Sequence, residues 1–208
     1  MGETDYLITG HRVGVRDLRA ADCREYIARV RESAELHHPW VSPPATAEEF
    51  NARLGTPGRR GYAVCELATG GIAAGVAINN IVYGSFRCGA LGYSAFAHAA
   101  GRGLTREGIG LVIRHAFDPG GLGLHRLEAN VQPANDRSRR LVRGLGFRLE
   151  GLSPDFLFVD GAWRDHERWA ITSEMPLAGA RPADEPAVPA QPPSASGSAS
   201  ANSLRQHR

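Results

Sequence analysis

Between Tyr62 and Ser94 the chain reads as three extended stretches separated only by tight turns. Tyr62–Glu66 leads through Thr69-Gly70-Gly71 into Ile72–Val82, and Gly84-Ser85 leads into Phe86–Ser94. Such runs, bounded by Gly-containing turns, predict consecutive hairpins. Turns this short join antiparallel neighbours, because a parallel pair needs a crossover of a dozen or more residues. The middle of the chain is therefore an antiparallel meander. That excludes a dinucleotide-binding fold, whose glycine fingerprint follows the first strand of a βαβ unit. Directly after the meander the period changes. Ile109, Val112, Ile113, Ala116 and Phe117 fall at i, i+3, i+4, i+7 and i+8. This spacing predicts a helix over Leu104–Phe117 with one stripe against the sheet.

The flanks complete the order. Val13 and Val15 alternate with polar residues, suggesting a strand near 12–18. Asp22 is placed to start a helix carrying Tyr26, Ile27 and Val30, and Thr46 with Glu49 forms a capping-box signature ahead of Phe50 and Leu54. The prolines of HHPWVSPP, residues 37–44, put that stretch in a loop. Arg126–Val131 reads as a strand, and Asn135 starts a helix carrying Leu141, Val142 and Leu145 that stops at Gly146. Phe147–Glu150 and Asp155–Val159 read as extended segments, and Asp160-Gly161 turns the chain back through Trp163–Ile171. The result is an α+β domain with a mostly antiparallel sheet and helices on its faces. From Pro176 to Arg208 the chain is Ala, Pro, Ser and Gly with almost no large apolar residues. Such a segment buries too little to offset its ordering entropy. A folded domain over 1–175 and a disordered tail over 176–208 are expected.

Several function classes are disfavoured. A net charge of +2 gives no electrostatic footprint for nucleic acid or a membrane surface. Cys23, Cys65 and Cys88 have neither zinc-ligand nor redox spacing. No metal is expected, and the thiols read as reduced in a cytoplasmic protein. The N-terminus has no basic start followed by an apolar run, and no apolar stretch approaches the ~20 residues of a membrane helix. Gly55-Thr56-Pro57-Gly58-Arg59-Arg60-Gly61 lacks the Lys of a nucleotide-binding P-loop.

The remaining glycine-rich segment is Gly101-Arg102-Gly103-Leu104-Thr105, which follows a strand and opens a helix. Glycines let the backbone turn its N–H groups toward a ligand, and the helix start adds unpaired donors and partial positive charge. Together they suit a pyrophosphate, although a plain helix-entry turn has the same local appearance.

GRGLTREG resembles the R-G-x-G-x-A segment and following Glu of the GNAT acetyltransferases. The resemblance continues in order through LEANVQPANDRSRRLVRGLGFRLEG and DFLFVDGAWRDHERWAI, with NIVYGSFRCGALGYS upstream, and covers roughly residues 10–172. Within that family the chain is most similar to the ribosomal-protein-alanine N-acetyltransferases of the RimJ/RimL branch, nearest the RimJ type. Ala100 and Thr105 depart from the usual Gln or Arg and Gly or Ala, whereas Gly101 and Gly103 remain. The resemblance implies a GNAT fold whose sheet splays between its fourth and fifth strands, Phe86–Ser94 and Arg126–Val131. It implies acetyl-CoA as cosubstrate, with pantetheine along the backbone of Tyr93 and Ser94, pyrophosphate on Gly101, Arg102, Gly103, Leu104 and Thr105, and Asn135 beside the cofactor arm.

Direct acetyl transfer needs a neutral amine and a proton for the departing thiolate. Asn135 and Ser138 are spaced as a helix cap and a first-turn residue, and the resemblance implies that Ser138 protonates the thiolate. Asp155 and then Glu128 are the candidate general bases; a solvated strand carboxylate is the alternative for each. Trp40, in the loop that roofs the acceptor site in this family, and Tyr83 are the candidate acceptor contacts, with a core anchor as the alternative for Trp40. Asp165-His166 reads as a structural ion pair. Arg137, Arg139, Arg140 and Arg143 read as a solvated helix face, with one of them a candidate for the CoA 3′-phosphate.

The expected acceptor is the N-terminal α-amine of a protein or peptide, a ribosomal protein starting with Ala or Ser by resemblance. An α-amine titrates near ~7.7–8.0 and a lysine near ~10.4, so the former needs only a weak base. A small-molecule amine such as an antibiotic, amino sugar or polyamine is the alternative. A non-catalytic ribosome- or RNA-associated factor is the second. A monomer or homodimer with no direct nucleic-acid contact is expected.

Overall fold

The computed structural model, which describes residues 5–178, contains the meander where the alternating stretches place it. Eight strands form one sheet: β1 (Ile8–Thr9), β2 (Val13–Asp17), β3 (Arg60–Glu66), β4 (Ile72–Val82), β5 (Cys88–Ala95), β6 (Arg126–Val131), β7 (Arg148–Val159) and β8 (Ala162–Thr172). Their spatial order is β1-β2-β3-β4-β5-β6-β8-β7. Every neighbouring pair is antiparallel except β5 and β6. That parallel step is the one place where the chain needs a crossover, and α4 (Leu104–Phe117) supplies it. The other helices are α1 (Cys23–Glu32), α2 (Ala34–His37), α3 (Ala47–Leu54) and α5 (Asp136–Leu145).

Alternation along β3 sorts the two faces. Tyr62 and Val64 point into the larger core with Ile109, Val112 and Ile113 of α4 and Val142 and Leu145 of α5. Ala63 and Cys65 point the other way, toward Tyr26, Ile27 and Val30 of α1 and Phe50 of α3. Fully burying side chains such as Ile109 and Ile113 contributes about 1.5–3 kcal/mol each. The stripe on α4 thus fixes that helix, and the loop entering it, against the sheet.

Some local details differ from the sequence reading. A two-residue strand, β1, is too short to show a period, and its presence moves the splay to between the fifth and sixth strands. The third strand of the meander begins at Cys88 rather than Phe86, where Arg87 takes φ 40°. The two segments expected at 147–150 and 155–159 form a single strand, β7, whose register shifts at Leu149/Gly151 and Ser153/Leu157 absorb the intervening residues as bulges. Asp22 precedes α1 as expected, but its carboxylate does not cap the helix. It takes both Arg16 guanidinium nitrogens at 2.7 Å and the Arg19 N–H at 2.8 Å. Thr46 does cap α3, accepting the Glu49 N–H at 3.2 Å while Glu49 accepts the Thr46 N–H at 3.3 Å.

The domain also extends past 175. Leu177 packs against the larger core, and the Ala178 N–H reaches the Leu145 carbonyl at 3.2 Å. The rest of the expected tail, 179–208, lies outside the described residues.

Candidate active site

β5 and β6 are hydrogen-bonded neighbours only at Cys88↔Arg126, Gly89↔Leu127 and Ala90↔Glu128. Beyond that rung the strands part, leaving Leu91–Ala95 with no ladder partner on the β6 side. The wedge opens toward the C-terminal ends of both strands. Tyr93 and Ser94 sit on its β5 wall, held from behind by pairing with Val76 and Gly75 of β4. His37, at the end of α2, closes over this wall, its Nε2 lying 2.8 Å from the Ala95 carbonyl oxygen. Burial lowers the imidazole pKa, keeping it neutral.

The chain leaving β5 turns through Gly101 and Gly103 at φ 75° and 79° before entering α4. A side chain at either position is strained, since L-residues avoid this region. Gly103 is the N-cap of α4 and brings no side chain to cap it, so the first-turn N–H groups of Leu104, Thr105 and Arg106 have no capping oxygen. Leu104 itself is buried in the core and Thr105 is half-buried. The Arg102 guanidinium is drawn back into an ion pair with Glu66 of β3. Any contribution of Arg102 and Leu104 to anion binding therefore comes through the backbone.

One residue of this cradle was invisible in the sequence. Arg12, just before β2, donates from Nη1 to the Arg102 carbonyl at 2.8 Å. Its backbone N–H and Nε reach the buried Glu107 carboxylate at 2.8 and 3.1 Å. It clamps the loop and brings positive charge to its edge. Its separation from the loop in sequence leaves no local signal.

At the wedge itself, Asn135 Oδ1 accepts the Ser138 N–H at 3.1 Å, so the cap expected at the start of α5 is present. The Ser138 hydroxyl then reaches across to Tyr93, with 2.5 Å between Oγ and Oη. The phenol is half-buried against the core, and its desolvation pushes its pKa up to about 12. A backbone cradle at a helix start and a hydroxyl pair thus share one opening in the sheet.

The chain is similar to known proteins. Residues 12–148 fit the acetyltransferase (GNAT) domain model. The chain belongs to the GNAT acetyltransferase family. It is 42% identical over 95 residues to a ribosomal protein uS5-alanine N-acetyltransferase of Escherichia coli (strain K12). That match spans 46% of this chain and 48% of the relative, so the chain spans about half the length of that relative. A spermidine N(1)-acetyltransferase of the same organism is 24% identical over 82% of this chain and 91% of its own. Among solved structures, Mycobacterium smegmatis RimJ in complex with CoA-disulfide superposes with a TM-score of 0.72 at 26% identity, covering 80% of this chain and 87% of that one. The fold is the GNAT fold, with helices on both faces of the sheet.

Within this GNAT frame the other candidates separate. Both oxygens of Glu128 are engaged, by Arg126 Nε at 3.1 Å and Arg168 Nη2 at 2.6 Å. With both oxygens turned to guanidiniums, Glu128 is committed to ion pairs rather than to the opening, which tells against it as the base. Asp155 is exposed on β7, separated from β6 by β8, and occupies a bulge at φ 46°. Its N–H is donated to Asp165 at 2.9 Å. The bulge turns it outward on the edge strand rather than into the wedge, so this nomination is also corrected. Asp165 and His166 do not pair with each other: adjacent strand residues face opposite ways, and buried His166 shares its Nδ1 hydrogen-bonding position with the Arg164 carbonyl at 2.9 Å.

Trp40 is half-buried in the loop after α2, and its carbonyl accepts from Gln132, the residue following β6, at 3.4 Å. It therefore lies at the open end of the wedge. Tyr83 is 57% exposed in the turn between β4 and β5, at the opposite end of β5, and the structure does not bring it to that opening. On α5, Arg139 pairs with Asp136 and Glu167, and Arg143 stacks 5.6 Å over the Trp169 ring. Arg137 and Arg140 are exposed. Among the described residues no cluster of His, Cys, Asp or Glu is arranged to hold a metal ion, and no helix is long and apolar enough to cross a membrane.

Proposed function

We propose that this chain transfers the acetyl group of acetyl-CoA to an amine by direct attack, and that the acceptor is the N-terminal α-amine of a protein or peptide starting with Ala or Ser. The observation that carries the reading is the wedge: a backbone cradle at the start of α4 and the Tyr93–Ser138 hydroxyl pair, which spans the gap, share one break in the sheet. The residues present fit the cosubstrate. The uncapped N–H groups of 104–106 and the strained glycine turn before them suit a pyrophosphate, and the unpaired edge of Tyr93–Ala95 suits the amides of a pantetheine arm. Acetyl-CoA supplies an activated acyl carbon. The protein's part is to orient that carbon, exclude water and manage two protons.

In this reading Ser138 gives its proton to the departing sulfur, and Asn135 fixes the start of α5 so that the hydroxyl stays in the wedge. Trp40 covers the acceptor's approach. The choice of an α-amine follows from what the wedge lacks. Glu128 is doubly paired and Asp155 is exposed on the edge strand, so neither of these two carboxylates is presented there as a base. An α-amine near ~8 is partly neutral at physiological pH, whereas a side-chain or polyamine nitrogen near ~10 needs a base to help it. The similarity to a ribosomal protein-alanine N-acetyltransferase agrees with the same choice, and a ribosomal protein is the natural candidate.

The test is a competition. Purified protein is incubated with acetyl-CoA and a mixture of peptides starting with Ala, Ser, Met or acetyl-capped Lys, together with spermidine and an amino sugar. Products are read by mass spectrometry. Acetylation confined to Ala- and Ser-starting peptides is expected. Preferential acetylation of spermidine or the sugar would replace this acceptor with a small molecule, and no turnover of any amine would favour a non-catalytic role.

A further inference from the structure

We propose that Tyr93 positions Ser138 and resupplies the proton that Ser138 delivers to the leaving sulfur. The proposal rests on the acetyl-transfer reading above and assigns a role to a side chain whose backbone alone had been implicated. Tyr93 Oη and Ser138 Oγ lie 2.5 Å apart, at the short limit for an O–H···O bond. The two residues come from opposite sides of the wedge. Tyr93 projects from β5 past the last shared rung, Ala90↔Glu128, and Ser138 stands in the first turn of the helix that follows β6. Asn135 holds the Ser138 N–H, so the hydroxyl is the only polar group of Ser138 left to direct.

The direction of the bond follows from chemistry. A phenol is a stronger acid than an alkyl alcohol, and the alcohol oxygen is the better acceptor, so Tyr93 donates and Ser138 accepts. Tyr93 packs against the apolar core. Reversing the bond would leave the phenol hydrogen without this partner. With Tyr93 donating, the Ser138 hydrogen is freed to point into the opening. Burial holds the phenol protonated, with its pKa up to about 12, so the donor is in place at neutral pH.

The pair also solves a mismatch. A thiol titrates near ~8.5, and an alkyl alcohol is a far weaker acid. Serine acting alone would leave an alkoxide in a poorly solvated wedge, a costly charge to create. In the proposed step the C–S bond of the addition intermediate breaks and its electron pair stays on sulfur. Sulfur takes the hydrogen of Ser138 Oγ while Oγ takes the hydrogen of Tyr93 Oη. The resulting phenolate is reprotonated by the proton that the attacking nitrogen sheds. The net change moves one hydrogen from amine to thiol, with no other reagent.

The experiment is a double-mutant cycle of Tyr93→Phe and Ser138→Ala, assayed with acetyl-CoA and an amine that the wild type acetylates from a panel of Ala- and Ser-starting peptides and spermidine. Tyr93→Phe is expected to lower kcat by about tenfold to a hundredfold. The acetyl-CoA KM should stay within about twofold, because the interaction matters only in the transition state. In the Ser138→Ala background the same substitution should change kcat no further. A merely structural tyrosine would instead raise KM, lower the melting temperature, and cost the same factor in both backgrounds. Wild-type kcat in Tyr93→Phe, or losses that multiply across the cycle, would overturn the proposal while leaving Ser138 as the acid. Wild-type kcat in Ser138→Ala would overturn the acid assignment itself, and a panel in which nothing is acetylated would overturn the transfer reading.

Discussion

The two ends of the wedge are built from different materials. The cradle at Gly101–Thr105 is backbone: two glycines in left-handed conformations and an uncapped helix start, with the nearby Arg102 side chain turned away to Glu66. The proposed reacting end is side chain: a tyrosine from one strand meeting a serine from a distant helix. A backbone site tolerates wide variation in residue type as long as the chain can turn, so the proposed cradle is expected to survive the departures at Ala100 and Thr105. A side-chain site depends on the tertiary placement of particular atoms. Substitutions at the two ends should therefore separate binding from chemistry.

The largest effect is expected at the reacting end. Ser138→Ala should lower kcat by about a hundredfold, within the range for losing a positioned acid, with the acetyl-CoA Kd from calorimetry nearly unchanged. A matching loss of affinity would erase the distinction between the two ends. Next comes the cradle, with the opposite signature. Gly103→Val forces a β-branched residue to φ 79°, and its Cβ would meet Arg12 Nη2 at 3.2 Å. Acetyl-CoA affinity should fall about tenfold or more, since a strain of about 1–3 kcal/mol falls on the loop, while kcat at saturation is largely kept. Unchanged affinity would mean that the anion site lies elsewhere.

Asn135→Ala sharpens the comparison because it touches both stability and position. Loss of the cap on α5 should cost about 1 kcal/mol of stability, read as a fall of a few degrees in Tm, together with a several-fold loss of kcat as Ser138 loosens. The smallest effect belongs to Glu128. Glu128→Gln should leave kcat and its pH profile within about twofold, because the carboxylate is occupied by Arg126 and Arg168 rather than by the reaction. A large loss confined to kcat would restore it as the base.

Much of this molecule was legible from sequence because it depends on local interactions. β4 and α4 have the limits expected from their periods, Thr46 and Asn135 cap the helices they precede, and Gly101 and Gly103 mark a turn that L-residues disfavour. Each of these follows from neighbours a few residues apart, and the order of elements already implied an α+β domain with a mostly antiparallel sheet. The tertiary structure decided the rest. Asp155 and then Glu128 read as candidate bases, and only a bulge at the first and the Arg126 and Arg168 guanidiniums at the second show how each is engaged. Arg12 reaches the cradle across 90 residues, and Tyr93 meets Ser138 across 45. Periodicity and capping report what a residue does to its own segment. Whether a charge is spent on a partner, and which hydroxyl lies against which, depends on how distant segments pack, and the order of residues carries no direct record of that distance.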